Sequence, residues 1–310
     1  MDKLAPLWHG LLRQQRHTIF QRFSWNRLAA EIFLDRMTPH VISVETPEGA
    51  AILPAAINHS TQRVEWLGET LFDYRDVLHA GDPEALRQAW LRVAACGLPL
   101  DLVAIEGHAA HRRWKSFPLA SFSGAPRIDR EGMDEQQFRA AHLRLGHRLR
   151  RLRQQGVHFD LHTGRHSALV REIYQRKSTQ LDSGNVFHDE RRRDFMVAAA
   201  ALEADQCELF VLESHEGSLI AALVTFRDGD VRRFYTTYFD PAWAKYSPGM
   251  LLLYEATART LAEGLSCDYM TGEQTFKLRL ATSREPLYRL PIASQELSGI
   301  VNAKRSLIAA

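Results

Sequence analysis

The stretch TTYFDPAWAKYSPGMLLLYEA, residues 236–256, decides the fold. It begins as a strand ending at Phe239, passes through a loop that carries Asp240, Trp243 and Lys245, and enters a helix at Ser247-Pro248 with Gly249 in its first turn. A helix start presents unpaired N–H groups and a partial positive charge, and a glycine there lets an anion approach the backbone. Lys245 adds a full charge. The same Ser-Pro-Gly is also what a well-capped helix start uses, so an anion cradle and a plain cap are both open on local grounds.

Upstream, Glu208 to Glu213, a turn at His215-Glu216-Gly217, Leu219 to Arg227, a turn at Asp228-Gly229-Asp230 and Val231 to Phe239 read as an antiparallel meander. Downstream, the helix from Pro248 runs to about Ala262, stops at Gly264 and is followed by a short strand, Cys267 to Met270. The order β-β-β-α-β gives an α+β fold with a mixed, mainly antiparallel sheet flanked by helices.

Further out, Asp134 caps a helix expected to reach about Gln155, with Leu145, Leu149 and Leu152 on one face and a basic remainder that includes Arg144, Arg148, Arg150, Arg151 and Arg153. The strand VHFDLHT follows, then helices at Ser167 to Thr179 and Asp189 to Glu203. Residues 121–133, SFSGAPRIDREGM, show no periodicity and collect Gly, Pro and Ser, so the domain junction is placed there, giving domains 1–125 and 126–310. The first domain reads as a helix capped by Ser24, a hairpin of Val41 to Val44 with Ala51 to Ile57, a helix opened by Asp82-Pro83, and a strand from Leu100 to Glu106.

Length and composition bound the rest. At 310 residues the chain has room for two domains, and 45% hydrophobic with 25% charged residues excludes disorder and a disulfide scaffold. A formal charge of +2 leaves no global field for nucleic acid or membrane, and no DNA partner is expected. Cys96, Cys207 and Cys267 are far apart and odd in number, as suits a reducing compartment. The start, MDKLAPLWHGLLRQQRH, lacks a signal-peptide core and no run is long enough for a membrane helix, so a cytoplasmic location is expected. Among 14 histidines, His108 with His111 and His158 with His162 have usable spacings, but HAAH lacks a zincin glutamate and no cysteine joins either pair; no metal is expected. Neither GxSxG nor GxxxxGK[ST] occurs.

FDPAWAKYSPGMLLLYEA and the following CDYMTGEQTFKLRL, with Asp268, Gly272, Glu273, Phe276 and Lys277, resemble the GNAT-type N-acyltransferase superfamily, and within it the CelD-like branch related to FemAB-type aminoacyltransferases. FSWNRLAAEIF, WLGETLFDYRDVL and HRLRRLRQQGVHFDL extend the resemblance over most of the chain. It implies two tandem GNAT-like domains, the first degenerate, and transfer of an acyl group from acetyl-CoA or another acyl-CoA to an amine or hydroxyl, in polysaccharide or cell-envelope biosynthesis by the branch name. FemAB-type relatives make an aminoacyl-tRNA donor the alternative, with the basic helix and Arg191 to Arg193 as phosphate contacts; peripheral membrane association and a non-catalytic assembly role are the others.

In the resemblance's terms, Lys245, Ser247, Gly249, Met250 and Leu251 hold the donor phosphates, the amides being those of Gly249, Met250 and Leu251 because Pro248 has none. Lys277 joins them, and Thr237, on the splayed strand end at Thr236 to Tyr238, supplies the oxyanion donor. Taking a proton from an amine needs a base, for which Glu273 and then Asp240 are the candidates. Tyr246, Tyr269 and Tyr288 are candidate acids.

Overall fold

The computed structural model describes residues 1–112, 114–181 and 184–303. They divide into two compact units, Met1–Gly124 with Glu285–Ala310, and Ala125–Arg284. The chain from Glu285 onward thus groups with the first unit, where the sequence reading kept everything after 126 together.

The first unit contains strands β1 (Met37–Thr46), β2 (Gly49–Asn58), β3 (Arg63–Trp66), β4 (Leu78–Gly81) and β5 (Leu100–Glu106), with helices α1 (Ala5–Leu12), α2 (Phe23–Ile32), α3 (Pro83–Ala94) and α4 (Gly107–Arg112). β1 and β2 form the hairpin, turning at Pro47 and Glu48, and β2 also pairs with β3 and β4. Ser24 lies inside α2, whose N-cap is Arg22. Asp82 caps α3 as expected, accepting from the Glu84 N–H at 2.9 Å. The core gathers Trp66, Trp90 and Trp114, with Trp90 and Trp114 edge to face at 5.0 Å.

The second unit contains β6 (Ala120–Ile128), β7 (His158–Thr163), β8 (Cys207–Glu213), β9 (Leu219–Asp228), β10 (Val231–Phe239) and β11 (Ser266–Asp268), and helices α5 (Glu135–Ala141), α6 (Leu143–Arg153), α7 (Ser167–Ser178), α8 (Glu190–Leu202), α9 (Pro248–Ala262) and α10 (Thr275–Leu278). Its sheet runs β6-β11-β10-β9-β8-β7, antiparallel except for β10 with β11. The last strand, β12 (Ser283–Ile292), pairs with β5, and α11 (Ser294–Ala303) packs on α3.

Three local readings are corrected. The aperiodic segment after Ser121 is strand up to Ile128: β11 pairs with its end at Arg127 and Ile128, and Ala125 and Ile128 are buried. The expected single helix from Asp134 breaks at His142 (φ −120°, ψ 34°) into α5 and α6. β11 ends at Asp268, and Met270 turns left-handed at φ +65°.

β8 and β9 are almost continuously buried, as strands covered on both faces must be. Thr236 meets Tyr174 of α7, while its neighbour Thr237 faces Gly249 of α9, so α7 and α9 lie on opposite faces of β10. Arg232, wholly buried, donates to Glu208 at 2.6 Å, Glu263 at 2.7 Å and Thr260 at 2.9 Å, and thereby ties β10 to β8 and α9.

Candidate active site

β10 is paired on one side with β9 along its length, but on the other with β11 only from Val231 to Arg233. At the last shared rung the Arg233 guanidinium donates to Asp268 at 2.5 Å, and Asp268 also accepts from the Met270 N–H at 2.8 Å, holding the turn that leads β11 away. One residue later the β9 register slips, and Tyr235 bulges between Phe234 and Thr236. Beyond that point the outer edge of β10 is open.

Backbone alternation fixes what that edge presents. The Asp240 N–H donates to Ile220 at 2.8 Å, toward β9; Tyr238 and Thr236 therefore point the same way, and Thr237 and Phe239 turn their N–H and C=O groups outward. Phe239's carbonyl accepts from Gln180 Nε2 at 2.7 Å, which closes the edge there. Thr237 remains as the outward backbone position between bulge and closure.

A cavity of about 580 Å³ opens along this edge. Its floor is Phe234 to Thr237 and Phe239, one wall is Ser247 to Met250 with Leu253, and the others come from Lys177 with the 184–187 turn and from Gln274, Phe276 and Lys277. At the α9 start, Ser247 is left-handed (φ +53°), and its carbonyl accepts from the N–H groups of both Met250 (3.1 Å) and Leu251 (3.2 Å). Pro248 has no N–H, so among the described residues Gly249 is the donor left over in this first turn. A Cβ on Gly249 would meet Phe239 at 3.4 Å and Thr237 at 3.7 Å, ordinary contact distances.

The structure therefore brings Thr237, Ser247, Gly249, Met250 and Lys277 to one cavity. Lys277 donates to the carbonyls of Thr271 (2.7 Å) and Met270 (3.3 Å), so the turn held by Asp268 also sets Lys277 in the wall. Leu251 is on α9 but its side chain is in the core. Other expected residues are used differently. Asp240 caps the short 3₁₀ turn Pro241–Tyr246, accepting from Ala242 N–H at 2.9 Å. Exposed Lys245 lies over the Tyr246 ring at 4.9 Å, and Tyr246 packs beside Trp243 while its carbonyl accepts from Arg148 at 3.0 Å. Glu273 is exposed and its carboxylate pairs with Arg284. Neither carboxylate lines the cavity among the described residues.

Tyr269 is buried, hydrogen-bonded to Thr257 at 2.9 Å, and burial raises its phenol well above the ordinary 10. Tyr288 belongs to the first unit. The basic surface is partly committed: Arg139 and Arg153 pair with Glu255 at 3.0 and 3.2 Å, and Arg193 donates to the carbonyls of Phe187 and His188, bracing the cavity turn. Arg144, Arg150 and Arg151 are exposed. No cluster of three or more metal-type ligands occurs among the described residues, and the His111 side chain lies outside them.

Sequence reading missed Lys177, Gln180, the Asn185 turn and Tyr235. Asn185, whose side chain bridges the carbonyls of Lys177 (2.8 Å) and Gln180 (3.0 Å), follows Gly184 between two helices, and that Gly-Asn pair was the available signal. A bulge at Tyr235 leaves no trace in the alternation.

Residues 139–278 match the family described as Acetyltransferase (GNAT) domain. The match lies within the second unit. Solved structures share the fold over nearly the whole chain. One is the C-terminal domain (DUF2156) of a protein assigned as a lysylphosphatidylglycerol synthetase from Agrobacterium fabrum, with TM-score 0.60, 12% identity and 100% of this chain and 98% of that one covered. L-PGS from Bacillus licheniformis gives TM-score 0.60 at 10% identity, covering 98% and 97%, and FemX gives 0.56 at 10%, covering 96% and 98%. At such identities the likeness is one of fold. No curated protein matches the sequence. Among the described residues, no helix is long and apolar enough to cross a membrane.

Proposed function

We propose that the cavity along the open edge of β10 is the transfer site of an N-acyltransferase whose donor is acetyl-CoA or another acyl-CoA. The observation that carries the reading is the juxtaposition of Thr237, an outward backbone position, with the Gly249 N–H, a free donor at the start of a 15-residue helix, in one cavity. The donor's carbonyl lies along the β10 edge, where the Thr237 N–H stabilises the oxyanion as the acceptor's nitrogen or oxygen adds. The C–S bond then breaks, and coenzyme A leaves as the thiol after its sulfur takes up, through water, the proton that the acceptor's nitrogen or oxygen gives up. The Gly249 N–H and Lys277 hold the diphosphate. Phe234, Phe239 and Leu253 exclude water from the acyl end.

The acceptor is placed in polysaccharide or cell-envelope chemistry on the CelD-like resemblance alone. No general base is assigned to Asp240, whose carboxylate is spent on its cap. The domains are read as a degenerate GNAT-like partner followed by the transferase domain.

A second reading takes aminoacyl-tRNA as donor. What favours it is α6, where exposed Arg144 and Arg151 share a face with Arg148, and Arg148 reaches the loop just before α9. The FemAB-type resemblance points the same way. Calorimetric titration with acetyl-CoA, against filter binding of aminoacyl-tRNA over a salt series, separates them: saturable acetyl-CoA binding supports the first reading, and tRNA retention that falls steeply with salt in its absence replaces it with the second.

A further inference from the structure

The bulge in β10 gives the cavity an apolar floor. Before it, Arg232 and Phe234 face α9: Arg232 donates to Thr260 on that helix, and the Phe234 ring meets the Tyr269 ring edge to face at 5.2 Å. After it, Thr237 faces α9 beside Gly249. Plain alternation would put Phe234 and Thr237 on opposite faces, and the extra residue at Tyr235 brings them onto one. On α9, Gly249 and Leu253 are four residues apart and lie one above the other, about 6 Å along the axis. Phe234 and Leu253 both line the cavity, and both are buried members of the core behind it, so they form the boundary between the two. That boundary is braced. Tyr269, which backs Phe234, donates its hydroxyl to Thr257 at 2.9 Å, and Thr257 donates to the Leu253 carbonyl at 2.7 Å.

We infer that Leu253 and Phe234 set the acyl-chain specificity of this site, and that the donor's acyl group is a hydrocarbon chain longer than acetyl, running from Thr237 toward Leu253, which stops it. The inference rests on the cavity being the transfer site for an acyl-CoA. With the thioester carbonyl at Thr237, the acyl carbons have one turn of α9 to run along before Leu253, a span that a zigzag chain of about four to six carbons fills at ~1.5 Å per bond. Each methylene that leaves water for this wall adds about fourfold in affinity. A methylene that runs into a braced side chain forces strain and loses more than it gains.

The test is calorimetric titration of the full chain with free coenzyme A and with acetyl-, butyryl-, hexanoyl- and decanoyl-CoA. The proteins compared are the wild type, Leu253→Ala, the milder Leu253→Val, Leu253→Phe, and Leu261→Ala, which removes the same atoms from the buried side of α9 about two turns further on, outside the described cavity lining. Circular dichroism and unfolding midpoints check that each variant is folded. Wild-type affinity should rise about tenfold from acetyl to butyryl, peak at butyryl or hexanoyl, and fall for decanoyl. Leu253→Ala should move the peak to longer chains, Leu253→Val should move it the same way by less, and Leu253→Phe should return it to acetyl. Leu261→Ala should keep the wild-type order. Should Leu253→Ala fail to fold, the Val and Phe variants carry the comparison. The inference is overturned, with the acyl-CoA reading intact, if the wild type binds all four thioesters equally or if folded Leu253 variants keep the wild-type peak. A wild type that binds neither coenzyme A nor any thioester removes the acyl-CoA reading and this inference with it.

Discussion

The Arg233 guanidinium and the Asp268 carboxylate meet at 2.5 Å across the last rung that β10 and β11 share, and both side chains are buried. Everything that opens the cavity lies beyond that rung. Arg233 also donates to Asp228 at 2.8 Å, and Asp268 takes the N–H of left-handed Met270, so the pair anchors two strands and a turn. Breaking a buried pair by deleting one partner leaves an uncompensated charge, at a cost of about 3–5 kcal/mol. Asp268→Ala should lower unfolding stability by that order in urea titrations, and Asp268→Asn, which keeps an acceptor for Met270, should lose less.

The pair between Glu273 and Arg284 is the contrasting case. Both groups are exposed, and exposed pairs contribute roughly 0–1 kcal/mol. Glu273→Gln should therefore shift stability by less than about 1 kcal/mol and leave acetyl-CoA affinity within about twofold. A large loss of affinity would move Glu273 back toward the site.

Cysteine reactivity follows burial. Burial pushes the Cys207 thiol up to about 12, and Cys267 is raised as well, whereas Cys96 is only partly covered. Native protein at neutral pH should take up one equivalent of iodoacetamide, at Cys96, and denatured protein three, as counted by intact mass.

Acid should weaken the fold through two imidazoles. Burial pushes His40, on β1, and His142, between α5 and α6, below the ordinary 6.5. The unfolded chain then binds protons first as pH falls, so stability declines as pH drops through about 6.5 and levels off below the lower folded values. Urea titrations at about pH 7.5 and 5.5 should record this decline, and His40→Gln combined with His142→Gln should flatten it.

How far the sequence carries the fold can be followed residue by residue. The meander Glu208 to Phe239 and the start of α9 at Pro248 are local signals, apolar runs cut by Gly-containing turns, and they lie where the pattern puts them. β6 was illegible because no local alternation marks it, and the partner of its end at Arg127 and Ile128 is β11, about 140 residues away. The break at His142 hides because the leucine spacing, Leu145, Leu149 and Leu152, lies wholly on α6 and reports only one side of it. The site was half legible: Thr237, Ser247, Gly249, Met250 and Lys277 announce themselves through turn and helix-start chemistry, but whether an amide is free is a tertiary fact. Met250 and Leu251 lose theirs to the Ser247 carbonyl. Glu273 looked poised at a strand end; β11 stops at Asp268 instead, and Gly272 (φ +105°) turns the chain toward Arg284. Lys177 depends on Gln180 reaching Phe239, a contact no local pattern encodes.

The central claim, a donor seat where the β10 edge meets the start of α9, is tested most directly by titrating acetyl-CoA into the wild type, Gly249→Ala and Gly249→Trp. The space above Gly249 admits a methyl at ordinary contact distance from Phe239 and Thr237, whereas an indole must project into the cavity. Saturable binding to the wild type, kept within a few-fold by Gly249→Ala and abolished by folded Gly249→Trp, is the predicted result. Equal affinity in the wild type and Gly249→Trp would contradict it.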